Sequence, residues 1–65
     1  MGIQHDKDDN YMLQVKLRGN WHDVHEVRKS GGANICRTSA KNTGNSHRVI
    51  NQSKGGAIYC ENEPR

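Results

Sequence analysis

The sequence predicts a small α+β domain, an antiparallel sheet in ββαββ order with one short helix packed on it. Three observations predict this. Residues 11–18 place an apolar residue at every second position, with polar residues between them except for Met12. Gly-containing turn signals interrupt the chain at Gly19-Asn20 and at Ser53-Lys54-Gly55-Gly56. Between Ser30 and Gly44 the alternation gives way to apolar residues at helical spacing. The rival architecture is an all-β meander in which residues 33–40 form a strand.

The first strand is the clearest element. Tyr11, Leu13, Val15 and Leu17 fall on one face, and Met12, Gln14, Lys16 and Arg18 on the other. Side chains alternate across a strand, so this is the pattern of a strand with one face in a core and one in water. Gly19-Asn20 reads as a hairpin turn, because glycine takes positive φ without a steric cost. A second strand runs from Trp21 to about Arg28. Its apolar residues Trp21, Val24 and Val27 recur every three positions, and a bulge near Asp23 would bring Trp21 and Val24 to one face. Ser30-Gly31-Gly32 ends this strand.

A short helix is expected from Ala33 to about Asn42. Ala33, Cys36 and Ala40 share one helical face, Ser30 is placed to cap the start, and Gly44 to end it. Asn34, Thr38, Ser39 and Asn42 are weak helix formers, so packing on the sheet must hold the helix. Residues 47–52 form the third strand, with Val49 and Ile50 on opposite faces. After the turn at residues 53–56, Ala57, Ile58, Tyr59 and Cys60 form the closing strand. Residues 1–9 read as a flexible acidic arm, residues 10–61 as the single domain and residues 62–65 as a polar tail.

Composition narrows the function classes. The 65 residues are 31% hydrophobic, with no Phe and ten Leu, Ile and Val in total. A chain this short buries only about 60% of its surface on folding. It has no room for an enclosed substrate pocket beside a core, and marginal stability follows. No run approaches the roughly 20 apolar residues that cross a bilayer. The polar N-terminus lacks the apolar stretch of a secretory signal, so a cytoplasmic location is expected.

The net charge of +3 is unevenly spread. Residues 10–54 carry eight Lys and Arg against Asp23 and Glu26, while both ends are acidic. A basic body suits an anionic partner, either nucleic acid or an acidic protein surface. The bland alternative is ordinary solvated charge.

Cys36 and Cys60 are the only cysteines. In a reducing compartment free, half-buried thiols are expected. A disulfide between them would contribute roughly 3 kcal/mol by the loop-entropy model. Metal ligation is the third option. His22 and His25 would have to join both cysteines, yet no cysteine pair has zinc-finger spacing. Histidines three apart on a regular strand also point to opposite faces. No metal, cofactor or catalytic residue is therefore expected.

The best enzymatic case is general acid–base ribonuclease chemistry from His47, Arg48 and Tyr59. Asn45-Ser46-His47-Arg48 resembles the Ser-His strand start of small toxin endoribonucleases, whose chains open with a helix rather than the alternating strand found here. Nucleic-acid binding would use Lys16 and Arg18 on the solvent face, extended by Arg28, Arg37 and Arg48, with Trp21 as the ring most open to stacking.

In size and layout the chain resembles small phage and mobile-element inhibitor proteins of the anti-CRISPR type. The residues behind this are Trp21-His22-Asp23-Val24, the helix with Ala33 and Ala40, and His47-Arg48-Val49-Ile50 leading to Ala57-Ile58-Tyr59. The resemblance implies a non-enzymatic protein that docks a basic face on a nucleic-acid-handling protein complex, with direct nucleic-acid binding as the alternative. The basic body departs from the acidic DNA mimics among such proteins. Lys16, Arg18, Trp21, Arg28, Arg37 and Arg48 are the expected contact set, since Trp and Arg most often dominate interfaces. Pairing of the strand that ends at Cys60 with a second copy offers a route to a homodimer.

Overall fold

The computed structural model describes residues 10–64, so the expected arm at residues 1–9 lies outside the described residues. The element order is β1 (Tyr11–Leu17), β2 (Asn20–Val27), α1 (Lys29–Thr43), β3 (His47–Asn51) and β4 (Ala57–Asn62), with one 3-10 turn at Gln52–Lys54. This is the ββαββ order, and the all-β meander is excluded by the helix at residues 33–40. The strands form one antiparallel sheet in the order β2-β1-β3-β4.

The alternation of β1 becomes the two faces of the sheet. Tyr11 and Leu13 are buried and join Cys36 and Val49 in the core. Leu17, on the same side of the strand, is 42% exposed. The reason is reach: α1 packs mainly over β4 and β3 and then β1, and the far end of the β1–β2 hairpin extends past it. β2 is an edge strand and is mostly exposed.

Two boundaries and two bulges refine the sequence reading. The β1–β2 turn residues are Arg18 and Gly19, not Gly19 and Asn20; both take positive φ, 53° and 82°. Two successive positive φ values match the right-handed twist of a hairpin. Arg18 therefore leaves the strand face and sits in the turn. The bulge expected near Asp23 is present, between the Leu13–His25 and Gln14–Asp23 pairs, but Val24 is its extra residue, so Trp21 shares a face with Asp23 rather than with Val24. A second bulge at Tyr59 separates the Val49–Cys60 and Ile50–Ile58 pairs. Finally, β4 continues through Asn62, two residues beyond Cys60.

The helix also starts earlier than its apolar spacing suggests. Its buried residues are Gly32, Cys36 and Ala40, whereas Ala33 is exposed. The helix rests on the sheet here: a Cβ on Gly32 would lie in ordinary contact, 3.6 Å from each of Tyr59, Val27 and Val49. Arg28 occupies the N-cap without a side-chain hydrogen bond, and Ser30 is already inside the helix. Gly44 ends it as expected, with φ 77° and its N–H donating to the Ala40 carbonyl at 3.0 Å. No helix among the described residues is long and apolar enough to cross a membrane.

Candidate functional site

The face of the sheet opposite α1 carries the densest chemistry. Residues paired across strands share a face, so the registers define its rows. One row runs Trp21–Lys16. The next runs Asp23–Gln14–Arg48–Glu61, and the third Glu26–Met12–Ile50–Ile58. The β2 bulge is what aligns Asp23 with Gln14 while Glu26 stays opposite Met12.

A chain of polar contacts links the first two rows. The Gln14 Nε2 donates to Asp23 Oδ1 at 2.8 Å. The Arg48 Nε donates to Gln14 Oε1 at 2.7 Å. The Arg48 guanidinium lies 4.2 Å from the Trp21 ring centroid, and Lys16 Nζ lies 5.9 Å from it. Each contact fixes the next. Asp23 sets the orientation of the Gln14 amide, which presents its carbonyl to Arg48, and Arg48 is laid on the indole. Gln14 is 9% exposed, so both of its polar ends need these partners. Among the described residues, the two terminal nitrogens of Arg48 have no partner. An arginine held by its Nε and its stacked plane keeps its outer donors oriented for a carboxylate or phosphate oxygen.

Beside this cluster the third row is apolar. Met12, Ile50 and Ile58 run from the middle of the sheet to the β4 edge, and Ile58 is 54% exposed. No described element packs over this face.

The six residues expected to make one basic surface are divided. Lys16, Trp21 and Arg48 come together as described. Arg18 sits in the β1–β2 turn. Arg28 caps α1, and Arg37 lies exposed on the helix with its Nη2 at 3.5 Å from Asn34 Oδ1. Lys16 and Arg48 share their face with Asp23, Glu26 and Glu61, so that face is mixed in charge rather than basic. An acid-free element is found instead at residues 28–43, which carry Arg28, Lys29, Arg37 and Lys41 and lie within an acid-free stretch from residue 27 to residue 60.

The ribonuclease set does not converge. His47 is 4% exposed on the helix side, with Nδ1 2.9 Å from the Asn45 carbonyl oxygen. Arg48 projects from the opposite face. The Tyr59 hydroxyl donates to the Lys29 carbonyl, and its ring packs edge-on to Tyr11 at 5.4 Å.

No protein-family description matches this sequence, and no curated protein or solved structure matches it significantly. The geometry alone therefore carries the functional reading.

The β2 bulge has one more effect. It places His22 opposite Val15 and His25 opposite Leu13, on one face, although they are three apart. His25 Nδ1 is 3.0 Å from the Glu26 carbonyl oxygen. Among the described residues, no group of three or more His, Cys, Asp or Glu is placed to hold a metal ion. Both cysteines are free, Cys36 buried and Cys60 half-buried. Sequence reasoning missed Gln14 and Asp23. The available signal was Gln14 lying between Met12 and Lys16 on the solvent side of β1.

Proposed function

We propose that this protein is a non-enzymatic binding module, of the phage or mobile-element accessory or inhibitor kind. Its open sheet face docks on a larger protein or protein–nucleic acid complex that handles nucleic acid. The observation that carries this reading is Arg48, bound at 2.7 Å to Gln14 and stacked at 4.2 Å on Trp21. Trp and Arg dominate interface energetics when they are rigid and close together. Holding Arg48 in place before binding reduces the ordering cost of association. The adjoining Met12 and Ile58, packed beside the buried Ile50, supply apolar area of the kind found at interface centres. The three acids on the same face favour an acidic side chain in a protein partner over a polyanionic backbone, because phosphates in series would meet Asp23, Glu26 and Glu61.

The test is capture of a complex from host lysate on the immobilised wild-type chain, repeated with Arg48→Ala, Trp21→Ala and Arg37→Glu. The reading expects a co-purifying partner that the first two variants lose and the third retains. Failure to retain any partner, or a partner indifferent to Arg48 and Trp21, overturns it.

A second reading, direct nucleic-acid binding, draws on the acid-free helix. Arg28, Lys29, Arg37 and Lys41 lie exposed on one element with no acid beside them in sequence. This reading expects a gel shift that weakens steeply with salt and is lost in Arg37→Glu/Lys41→Glu. No shift at low salt removes it.

A further inference from the structure

The chain has two cysteines, 24 residues apart in sequence, and the fold brings them into one cluster. Cys36 is fully buried with Tyr11, Leu13 and Val49. Cys60 packs against that cluster and pairs with Val49 across β3 and β4. One helical turn before Cys36, Gly32 meets Tyr59, the residue before Cys60. Gly32 thus meets Tyr59, and Cys36, one turn on along the same inward face, belongs to the cluster that Cys60 packs against. The bulge at Tyr59 is what turns both Tyr59 and Cys60 toward the helix.

We propose that Cys36 and Cys60 form a latent disulfide site that ties α1 to the edge strand β4. Its closing agent is a low-molecular-weight disulfide of the glutathione class. Cys60 is half-buried on the edge strand and Cys36 is enclosed, so Cys60 reacts first. The Cys60 thiolate attacks one sulfur of the small disulfide, forming a mixed disulfide and releasing one small thiolate. The Cys36 thiolate then attacks the Cys60 sulfur, forming the protein disulfide and releasing the second. The protein loses two protons and two electrons, and the small disulfide gains both to become two thiols.

Two consequences follow from the environment. Burial pushes the Cys60 thiol up to about 11, with the charge and hydrogen bonding of the neighbouring Cys36 adding to this and a Val49 backbone hydrogen bond opposing it. The attacking thiolate is therefore scarce at neutral pH. Closure is slow there and accelerates about tenfold per pH unit across the alkaline range below that value. The bond, once made, joins α1 to a strand that otherwise has a neighbour on one side. Small domains gain most from such a staple.

The experiment incubates the folded, reduced chain with oxidised glutathione at pH 8 and at pH 9 and follows intact mass and free thiols. The expected product has lost two hydrogens, carries no glutathione, stays monomeric on a non-reducing gel and forms about tenfold faster at the higher pH. Its Tm rises on the order of 10 °C, reversed by reductant. Cys36→Ala is expected to stop at the mixed disulfide on Cys60, and Cys60→Ala to remain unmodified while folded. Wild-type chain that keeps both thiols, that accumulates a stable glutathione adduct, or that closes with a lowered Tm overturns the proposal. The wild-type result decides even if a variant fails to fold.

Discussion

Arg48 and Cys60 both depend on what their neighbours do to them. Arg48 is an ordinary surface cation in the sequence. In the fold its plane is set by Gln14 and Trp21, and that restraint separates an anchor from a solvated charge. The thiol of Cys60 is raised to about 11 chiefly by burial. A thiol that titrates near 9 when unfolded and near 11 when folded keeps its proton longer in the native state. The folded chain then binds more protons than the unfolded one between those values. The resulting stabilisation is fully present below about pH 9 and is lost as pH rises through about 11. Urea midpoints of the reduced chain should fall across that window. A Cys60→Ala chain should fall less steeply, since it lacks the thiol whose proton the folded state holds. Parallel slopes would show that the thiol contributes nothing to the alkaline loss.

The strands and the helix differ in how much of them the sequence declared. β1 was legible because its signal is local: alternation over seven residues assigns both faces, and Tyr11 and Leu13 are buried as that pattern requires. Gly44 was legible for a similar reason, since a helix end needs a residue that tolerates positive φ. The registers were not legible. Two bulges, at Val24 and Tyr59, decide which residues of β2 and β4 face which side; the spacing of Trp21, Val24 and Val27 signals the first without fixing which residue is extra, and nothing local marks the second. For this reason Trp21, Lys16 and Arg48 were recognised as residue types while the Asp23–Gln14–Arg48 chain joining them was not. The helix face was misread by one residue because Gly32 has no apolar side chain to count. Its burial comes from a close approach to Tyr59, Val27 and Val49. That approach leaves ordinary van der Waals room at 3.6 Å for one methyl group. Alanine also exceeds glycine in helix propensity by about 1 kcal/mol. Gly32→Ala should therefore stabilise the chain by roughly 0.5–1 kcal/mol, read as a higher urea midpoint at unchanged slope. A destabilised Gly32→Ala chain would contradict the ordinary contact distances at this site. At Gly44 alanine should have the opposite effect, because φ is 77° there.

At the scale of the whole molecule, one helix covers one face of a four-stranded sheet, and the described core is small: Tyr11, Leu13, Cys36 and Val49, with Val27, Ile35 and Cys60 against it. Domains of this length have stabilities on the order of 3–10 kcal/mol, and a one-sided core with no Phe belongs at the low end. Leu13 is 1% exposed at the centre of that core. Truncating a buried leucine costs about 2–5 kcal/mol through lost transfer energy and the cavity left behind. Leu13→Ala should therefore leave the isolated chain largely unfolded near room temperature, visible as loss of cooperative thermal melting by circular dichroism. The same economy of core gives the open face its importance. A partner covering Met12 and Ile58 binds only the folded chain, so at a free concentration of 100 Kd it adds about 2.7 kcal/mol of stability. That is enough to restore a cooperative melt to a Leu13→Ala chain near its folding threshold. Arg48→Ala behaves in reverse: it loses one charged hydrogen bond and a cation–π contact, about 1–3 kcal/mol of folding, and loses partner rescue as well. Combining the two changes should leave a chain that the captured partner no longer refolds at any concentration that rescues Leu13→Ala alone. Rescue of the double variant at the same partner concentration would place the docking surface elsewhere, with the acid-free helix as the next face to test.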